Sequence, residues 1–427
     1  MADVRPLRGL RYDVARVGAL AEVLCPPYDV IDAGLAAALR ARSPYNAIHL
    51  ELPADGPGDA RYARAAARLA DWEARGVLRR EATPCLYPVE EEFVWAGARW
   101  RRRGVLALVR LVPWEAGEIL PHERTLAGPK ADRLALLRAC RANLSPVFLL
   151  HPPLPAAQAS LWEAAAAHPP VARVELSTHE RLRLWAVSAP ADWSAALTAA
   201  RLYVADGHHR YETALRYRDE LRARGERVPV GADYVLAYLV ALDDPGLLLL
   251  PTHRCAPVGI EVATLERLLA ERFDCTALAL DAGRAAEAVA ALRHQAAARP
   301  GAAVLGVYVP GRLWLATPRP EAARWLPAER HPAWRALDVA QADGLLLQPL
   351  LGPQAAERLS YTRDAAEALA RVDQGAAAFA VLLNPLTPAQ MVAVAEAGER
   401  MPQKSTYFHP KLPTGLVFHR LDDHALG

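Results

Sequence analysis

The sequence predicts an α+β fold of mixed α/β elements, and three stretches carry that expectation. Leu202-Tyr203-Val204-Ala205 is a short apolar run of buried-strand length, ended by Asp206-Gly207 and followed by helix formers that place Ala214, Tyr217 and Leu221 on one face before a Gly225 stop. Arg61 to Arg75 is an amphipathic helix with Ala65, Leu69 and Trp72 on one side. CLYPVEEEFVW and WRRRGVLALVRLV, with a turn at Ala96-Gly97, read as an antiparallel pair. At 427 residues, 52% hydrophobic and 23% charged, the chain is long enough to bury more than one core.

The remaining elements follow in order. Cys25-Pro26-Pro27-Tyr28-Asp29 is a rigid loop, because two prolines fix φ and remove donors; it either caps the helix expected from Ala33 to Arg42 or walls a pocket with Tyr28 or Asp29. SPYNAIHLELP alternates Ile48, Leu50 and Leu52 with polar residues and is expected to be a half-buried strand. The Arg99 to Arg103 run is read as the solvated face of the hairpin. A helix is expected from Lys130 through Leu137 to Arg141, and DYVLAYLVAL and LLLLPTHR are read as two further strands. Val258 to Ala356 has helices at Val262 to Arg272 and Ala282 to Arg299 and strands at AVLGVYV and RLWLAT, with no site expected there. A strand at AAFAVLLNP, a helix from Pro388 to Ala397 and an extended polar segment complete the chain. The expected regions are 1–150, 151–257 with the phosphate-binding turn, 258–356, and 357–427 as a segment returning to the site.

Bulk electrostatics narrow the function. A net charge of +2 does not suit a nucleic-acid or membrane-surface protein, so a small molecule is the expected partner, with the oligomeric state left open. No apolar run approaches the roughly 20 residues of a membrane span, and MADVRPLRG lacks a secretion signal's apolar core, so a cytoplasmic protein is expected. The five cysteines lack a CxxC pair and are read as reduced and mostly buried. Of 50 basic residues only Lys130, Lys404 and Lys411 are lysine, which suggests positions where an amine is chemically required.

Chemistry concentrates in four places. The strand, glycine turn and helix at Asp206-Gly207-His208-His209-Arg210 is the geometry that points backbone N–H groups at an anion, most often phosphate. HERTLAGPKADR gathers His122, Glu123, Arg124, Lys130 and Arg133; Glu123 beside His122 could form a general acid/base pair, and Lys130 with Arg124 or Arg133 could clamp phosphate. PTHR places Thr252, His253 and Arg254 at a strand end, where α/β proteins put chemistry. MPQKSTYFHPKL carries Lys404, Ser405 and Lys411. GxxxxGK[ST], GxGxxG and HExxH are absent, which excludes the common phosphate loops and zincin sites as sequence patterns.

CPPYDVI, HERTLAGPKADRLALLRACRANLSP with VADGHHRYETAL, and MPQKSTYFHPKL together resemble the bacterial and archaeal domain-of-unknown-function family 1015, across nearly the whole chain. The Asp-Gly-His-His-Arg turn also resembles the nucleotide-phosphate motif of the ParB/sulfiredoxin superfamily, and the free-serine kinases within it most of all. That resemblance implies a ParB/sulfiredoxin-like nucleotide-binding core. His208 stands where sulfiredoxins carry their reactive cysteine, which disfavours that chemistry here.

The implied activity is phosphoryl transfer, dependent on a nucleotide or phosphate, to or from a small hydroxyl metabolite, with serine or phosphoserine indicated. ATP or ADP with Mg²⁺ would be the cofactors. Asp206, Gly207, His208, His209 and Arg210, with Thr252, His253 and Arg254, would bind the nucleotide, and Asp206 would also ligate the metal. Glu123 or Asp29 would take the hydroxyl proton, and Lys130 or Lys404 would neutralise developing charge. Tyr28, His122, Arg124, Ser405 and Lys411 would bind substrate. A metal-dependent hydrolase using the histidines and a non-catalytic nucleotide-binding switch are the alternatives.

Overall fold

A computed structural model describes residues 2–54, 58–123, 125, 127–188, 191–198, 200–225 and 228–422. The chain divides into two compact units, one formed by Met1–Pro121, Thr125–Leu248 and Pro410–Gly427, the other by His122–Arg124 and Leu249–His409. Both mix helices with sheets, as expected. The stretches 258–356 and 357–409 fall in one unit, and the chain from Pro410 onward rejoins the first.

The first unit is built on a nine-stranded mixed sheet. Tyr234–Ala241 lies at its centre, antiparallel to Ala98–Arg110 and parallel to Val147–His151. Every residue of Tyr234–Ala241 is buried, which explains its continuous apolar run. Leu202–Asp206 pairs antiparallel with Val147–His151 and parallel with Ile119–Leu120. Helix His208–Ala223 lays Tyr211, Ala214, Tyr217 and Leu221 on the sheet core with Val147, Leu149, Leu202 and Val204. Helix Ala127–Cys140 packs beside it, and Arg138 pairs with Glu220 at 2.6 Å.

The hairpin Tyr87–Trp95 and Ala98–Arg110 forms with Ala96 and Gly97 at positive φ, as the turn requires. Its arginines are not all solvated. Arg102 has no exposure and forms two hydrogen bonds to Glu91, at 2.7 and 2.9 Å, because Phe93, Phe148 and Tyr238 surround its guanidinium.

The strand expected at SPYNAIHLELP is instead a one-turn helix, Ile48–Glu51. Asn46, itself fully buried, accepts from the Ile48 N–H at 3.0 Å and donates to the Glu22 and Leu24 carbonyls. That side chain supplies what a strand partner would have, and both faces of the turn are buried. The helices at Ala33–Arg42, capped by Asp32, and at Ala60–Ala74 form where expected.

The second unit holds a six-stranded antiparallel sheet in the order Phe273–Ala279, Arg312–Pro318, Leu305–Val309, Ala380–Leu382, His253–Cys255, Ser360–Thr362. Helices Ala285–Ala297 and Ala365–Asp373 pack on it through Ala288, Leu292 and Leu369, against Val304, Tyr308, Leu313 and Leu382. All five thiols are free, and only Cys275 is exposed. No described helix is long and apolar enough to cross a membrane.

Candidate functional site

In the first unit the sheet delivers Asp206 as the last residue of its strand, and Gly207 turns the chain directly into a helix. His208, His209 and Arg210 are therefore the helix's first turn and not part of a preceding loop. Gly207 sits at φ 90°, and a Cβ there would lie 2.9 Å from the Arg210 guanidinium, so both backbone and space demand glycine. As the N-cap residue, Gly207 contributes no capping side chain. The helix therefore begins, with its unsatisfied amides and the positive end of its dipole, two residues after Asp206.

Asp206 is bracketed by two cations. Lys411 Nζ donates to one carboxylate oxygen at 2.5 Å and Arg210 to the other at 2.7 Å. Burial pushes the Asp206 carboxyl up, but Lys411 and then Arg210 outweigh it and hold it well below the usual carboxylate range. Lys411 also stands 3.5 Å from Asp29. Burial would lower the Lys411 ammonium, and Asp206 and Asp29 raise it instead. Tyr28, next to Asp29, lies under the Arg133 guanidinium at 4.4 Å, and burial raises its phenol against the pull of Arg210 and Arg133.

Arg210 also donates to the Pro146 carbonyl, while its Nε is buried without a hydrogen-bond partner. Arg210 borders a cavity of about 50 Å³ shared with Glu51, Arg133, Ser145 and Thr213. Arg133 and Glu51, the second of which the sequence reading did not single out, thus belong to the same cluster: Arg133 donates to the Glu51 carbonyl at 2.8 Å.

Asp206 does not fit the metal role. Both of its oxygens are engaged by cations, and no group of three His, Cys, Asp or Glu able to hold an ion exists among the described residues. Lys130 pairs with Glu212 at 3.1 Å, beside Thr125, which also donates to Glu212.

The second unit gathers the other candidates. Glu123 accepts the Lys404 backbone N–H at 3.1 Å, and His122 Nε2 lies 2.9 Å from Thr406 Oγ1. Lys404 has φ 57°, a left-handed conformation uncommon for a residue other than glycine. Ser405 Oγ donates to the Pro402 carbonyl at 2.5 Å. His253 is buried, its Nδ1 accepts the Leu383 N–H at 3.2 Å, and burial followed by Arg254 pushes it down to about 4, so it is a neutral structural histidine at pH 7. Thr252 precedes the strand that holds His253 and Arg254, and Arg254 donates to its carbonyl. Arg124 lies outside the described residues.

The structure therefore brings together Tyr28, Asp29, Asp206, Gly207, Arg210 and Lys411 in one unit, and His122, Glu123, Thr252, Arg254, Lys404 and Ser405 in the other. MPQKSTYFHPKL is divided, with Lys404 in the second unit and Lys411 in the first.

The family model described as "Protein of unknown function (DUF1015)" matches residues 4–340. The chain belongs to that family. No curated protein sequence matches it. Among solved structures, the family member is similar to a free serine kinase mutant in complex with ADP, at 11% identity and TM-score 0.38, over 76% of this chain and 94% of that one. A free serine kinase in complex with AMP is similar at 12% identity and TM-score 0.37, over 76% and 93%. A conserved hypothetical protein from Pyrococcus furiosus matches at 13% identity and TM-score 0.33, over 74% and 94%.

Proposed function

We propose that this chain is a phosphotransferase, dependent on a nucleotide or phosphate, that acts on a small hydroxyl metabolite of the serine or phosphoserine class. The observation that carries the reading is the Asp206–Lys411–Arg210 cluster set against the glycine-capped start of helix His208–Ala223. Phosphoryl transfer asks a protein for positioning and charge neutralisation more than for covalent chemistry. Gly207 places no side chain over the helix start, and Arg210 offers a buried Nε–H that has no hydrogen-bond partner.

In this scheme the phosphoryl donor rests its phosphate at the helix start. The substrate hydroxyl oxygen attacks phosphorus, the bond to the leaving phosphate oxygen breaks, and Asp29 accepts the hydroxyl proton. Lys411, held between Asp206 and Asp29, fixes both carboxylates and places positive charge beside the reacting oxygens. Asp206 acts by holding Lys411 and Arg210, so no step is assigned to a metal on it.

The test is phosphorus NMR of the full chain incubated with L-serine or O-phospho-L-serine and, in separate samples, each of ATP, ADP, CTP, pyrophosphate and phosphate. Exchange is expected in at least one pairing and is lost in Lys411→Met. Silence in every pairing overturns the transferase. Nucleotide binding that persists in that case, and is lost in Lys411→Met, would mark a non-catalytic switch.

A further inference from the structure

The second unit contains a cavity of about 280 Å³ that the phosphotransferase scheme does not use. Its polar wall is made by Thr252, Arg254, Asp338, Asn384, Gln390 and Ser405. The stretch from 258 to 356, in which no site was expected, supplies Asp338. Sequence inspection passes over it because Asp338 stands at the start of a short helix, an ordinary place for a carboxylate.

Arg254 is the unusual member. It is 1% exposed, yet it forms no ion pair among the described residues. Its terminal nitrogens reach only backbone carbonyls, those of Thr252, Gln403 and Lys404, and its Nε is buried with no hydrogen-bond partner. A guanidinium buried this deeply ordinarily meets a carboxylate, because desolvating the charge is costly. Asp343, the first of the groups that favour its charged form, is itself pushed up to about 6 by burial, against the pull of Arg254. The contrast with Arg102, equally buried but locked on Glu91, is direct.

Asp338 supplies a second kind of recognition. Its carboxylate accepts from Asn384 Nδ2 at 3.2 Å, and burial pushes it up to about 6, leaving a poorly solvated acceptor on the cavity wall. A cavity of this size is slightly below the roughly 300–1,000 Å³ of drug-sized sites, which suits a small metabolite better than a whole nucleotide.

We propose that this cavity is a binding site for a small polar metabolite carrying a carboxylate or phosphate ester, with Arg254 as the anion anchor and Asp338 receiving a hydroxyl or ammonium donor. A planar guanidinium with an unused N–H matches an oxyanion's geometry, and Thr252, Ser405 and Gln390 provide neutral partners around it. The inference stands without the phosphotransferase reading, since it requires only an oxyanion and a donor on one small molecule.

Isothermal titration calorimetry of the full chain, with L-serine, O-phospho-L-serine and inorganic phosphate as separate probes, tests it. L-serine binding alone would assign the anion as a carboxylate, and O-phospho-L-serine alone as a phosphate ester. Affinity for the bound probe should fall on the order of tenfold to a hundredfold in Arg254→Met. The exposed Ala302, which borders the cavity, allows a second variant that spares the core: Ala302→Trp should abolish binding with no change in unfolding temperature. Inorganic phosphate binding alone, absence of saturable binding by any probe, or undiminished binding in Ala302→Trp would overturn the proposal. Lys411→Met separates the two readings, since loss of phosphate exchange there with probe binding retained places this site apart from the transfer site.

Discussion

Arg102 has no exposure, and Glu91, its partner, has 1%. Tyr238 donates to the same carboxylate at 2.7 Å, and Arg102 also reaches the Pro410 carbonyl. Removing one member leaves a buried charge without its partner, so Arg102→Met should cost about 3–5 kcal/mol in denaturant unfolding, whereas Arg102→Met with Glu91→Leu should recover most of that loss. The arginine run hid this residue, because composition cannot tell which of the four arginines from Arg99 to Arg103 is surrounded by aromatic rings contributed by other strands. Asp338 makes a residue-scale prediction of opposite sign to the usual carboxylate. Its folded value of about 6 lies above the ordinary value, so the stability tied to its protonation is fully present below the unfolded value near about 4 and is lost as pH rises through about 6. Urea unfolding across that window should show Asp338→Asn losing this slope and gaining roughly 3 kcal/mol relative to wild type at pH 7. A variant whose slope equals that of wild type would contradict the assignment.

At the scale of elements, the strand, glycine and helix from Leu202 to Ala223 was legible in the sequence because each part carries its own signal: an apolar run, a turn residue, and a helical apolar face. What the residues alone could not give was the partner of Arg210. The i, i+4 spacing from Asp206 to Arg210 crosses the strand end and the glycine cap, and their pairing depends on φ 90° at Gly207. Gly207→Ala should cost about 2 kcal/mol in stability, combining the left-handed backbone penalty with displacement of Arg210. Nucleotide affinity should fall with it if the helix start is the phosphate site, and calorimetry would read both effects on one sample. The misread element, Ile48–Glu51, has the opposite lesson. Alternating Ile48, Leu50 and Leu52 mimics a strand, but one turn with Ile48, Leu50 and Glu51 all buried gives no period to read, and the deciding hydrogen bonds come from Asn46. Asn46→Ala should therefore cost about 2–3 kcal/mol by thermal unfolding, as a lost cap plus orphaned buried groups.

At the scale of the whole molecule, the first unit is discontinuous: its last piece begins at Pro410, after the chain has passed through the second unit. Periodicity could not reveal this, because the returning segment attaches by short pairings and single bridges. His419 and Arg420 pair with Asn143 and Ala142, Phe418 bridges Leu10, and Thr414 bridges Cys25. These contacts bury Leu416, Val417 and Phe418, and the segment brings Lys411 to Asp206. At about 1.5–3 kcal/mol for each fully buried apolar side chain, their loss is comparable with the roughly 5–15 kcal/mol that holds a domain folded. A chain ending at His409 should therefore lose hydrogen-exchange protection across Leu202–Asp206, His208–Ala223 and Tyr234–Ala241. The sheet of the second unit, from His253–Cys255 to Ala380–Leu382, includes no residue of the deleted segment and should keep its protection. Equal loss in both sheets would mean that the two units unfold as one cooperative body. Unchanged protection in both would mean that the returning segment contributes little beyond positioning Lys411, and the test of its role would then rest on phosphate exchange alone.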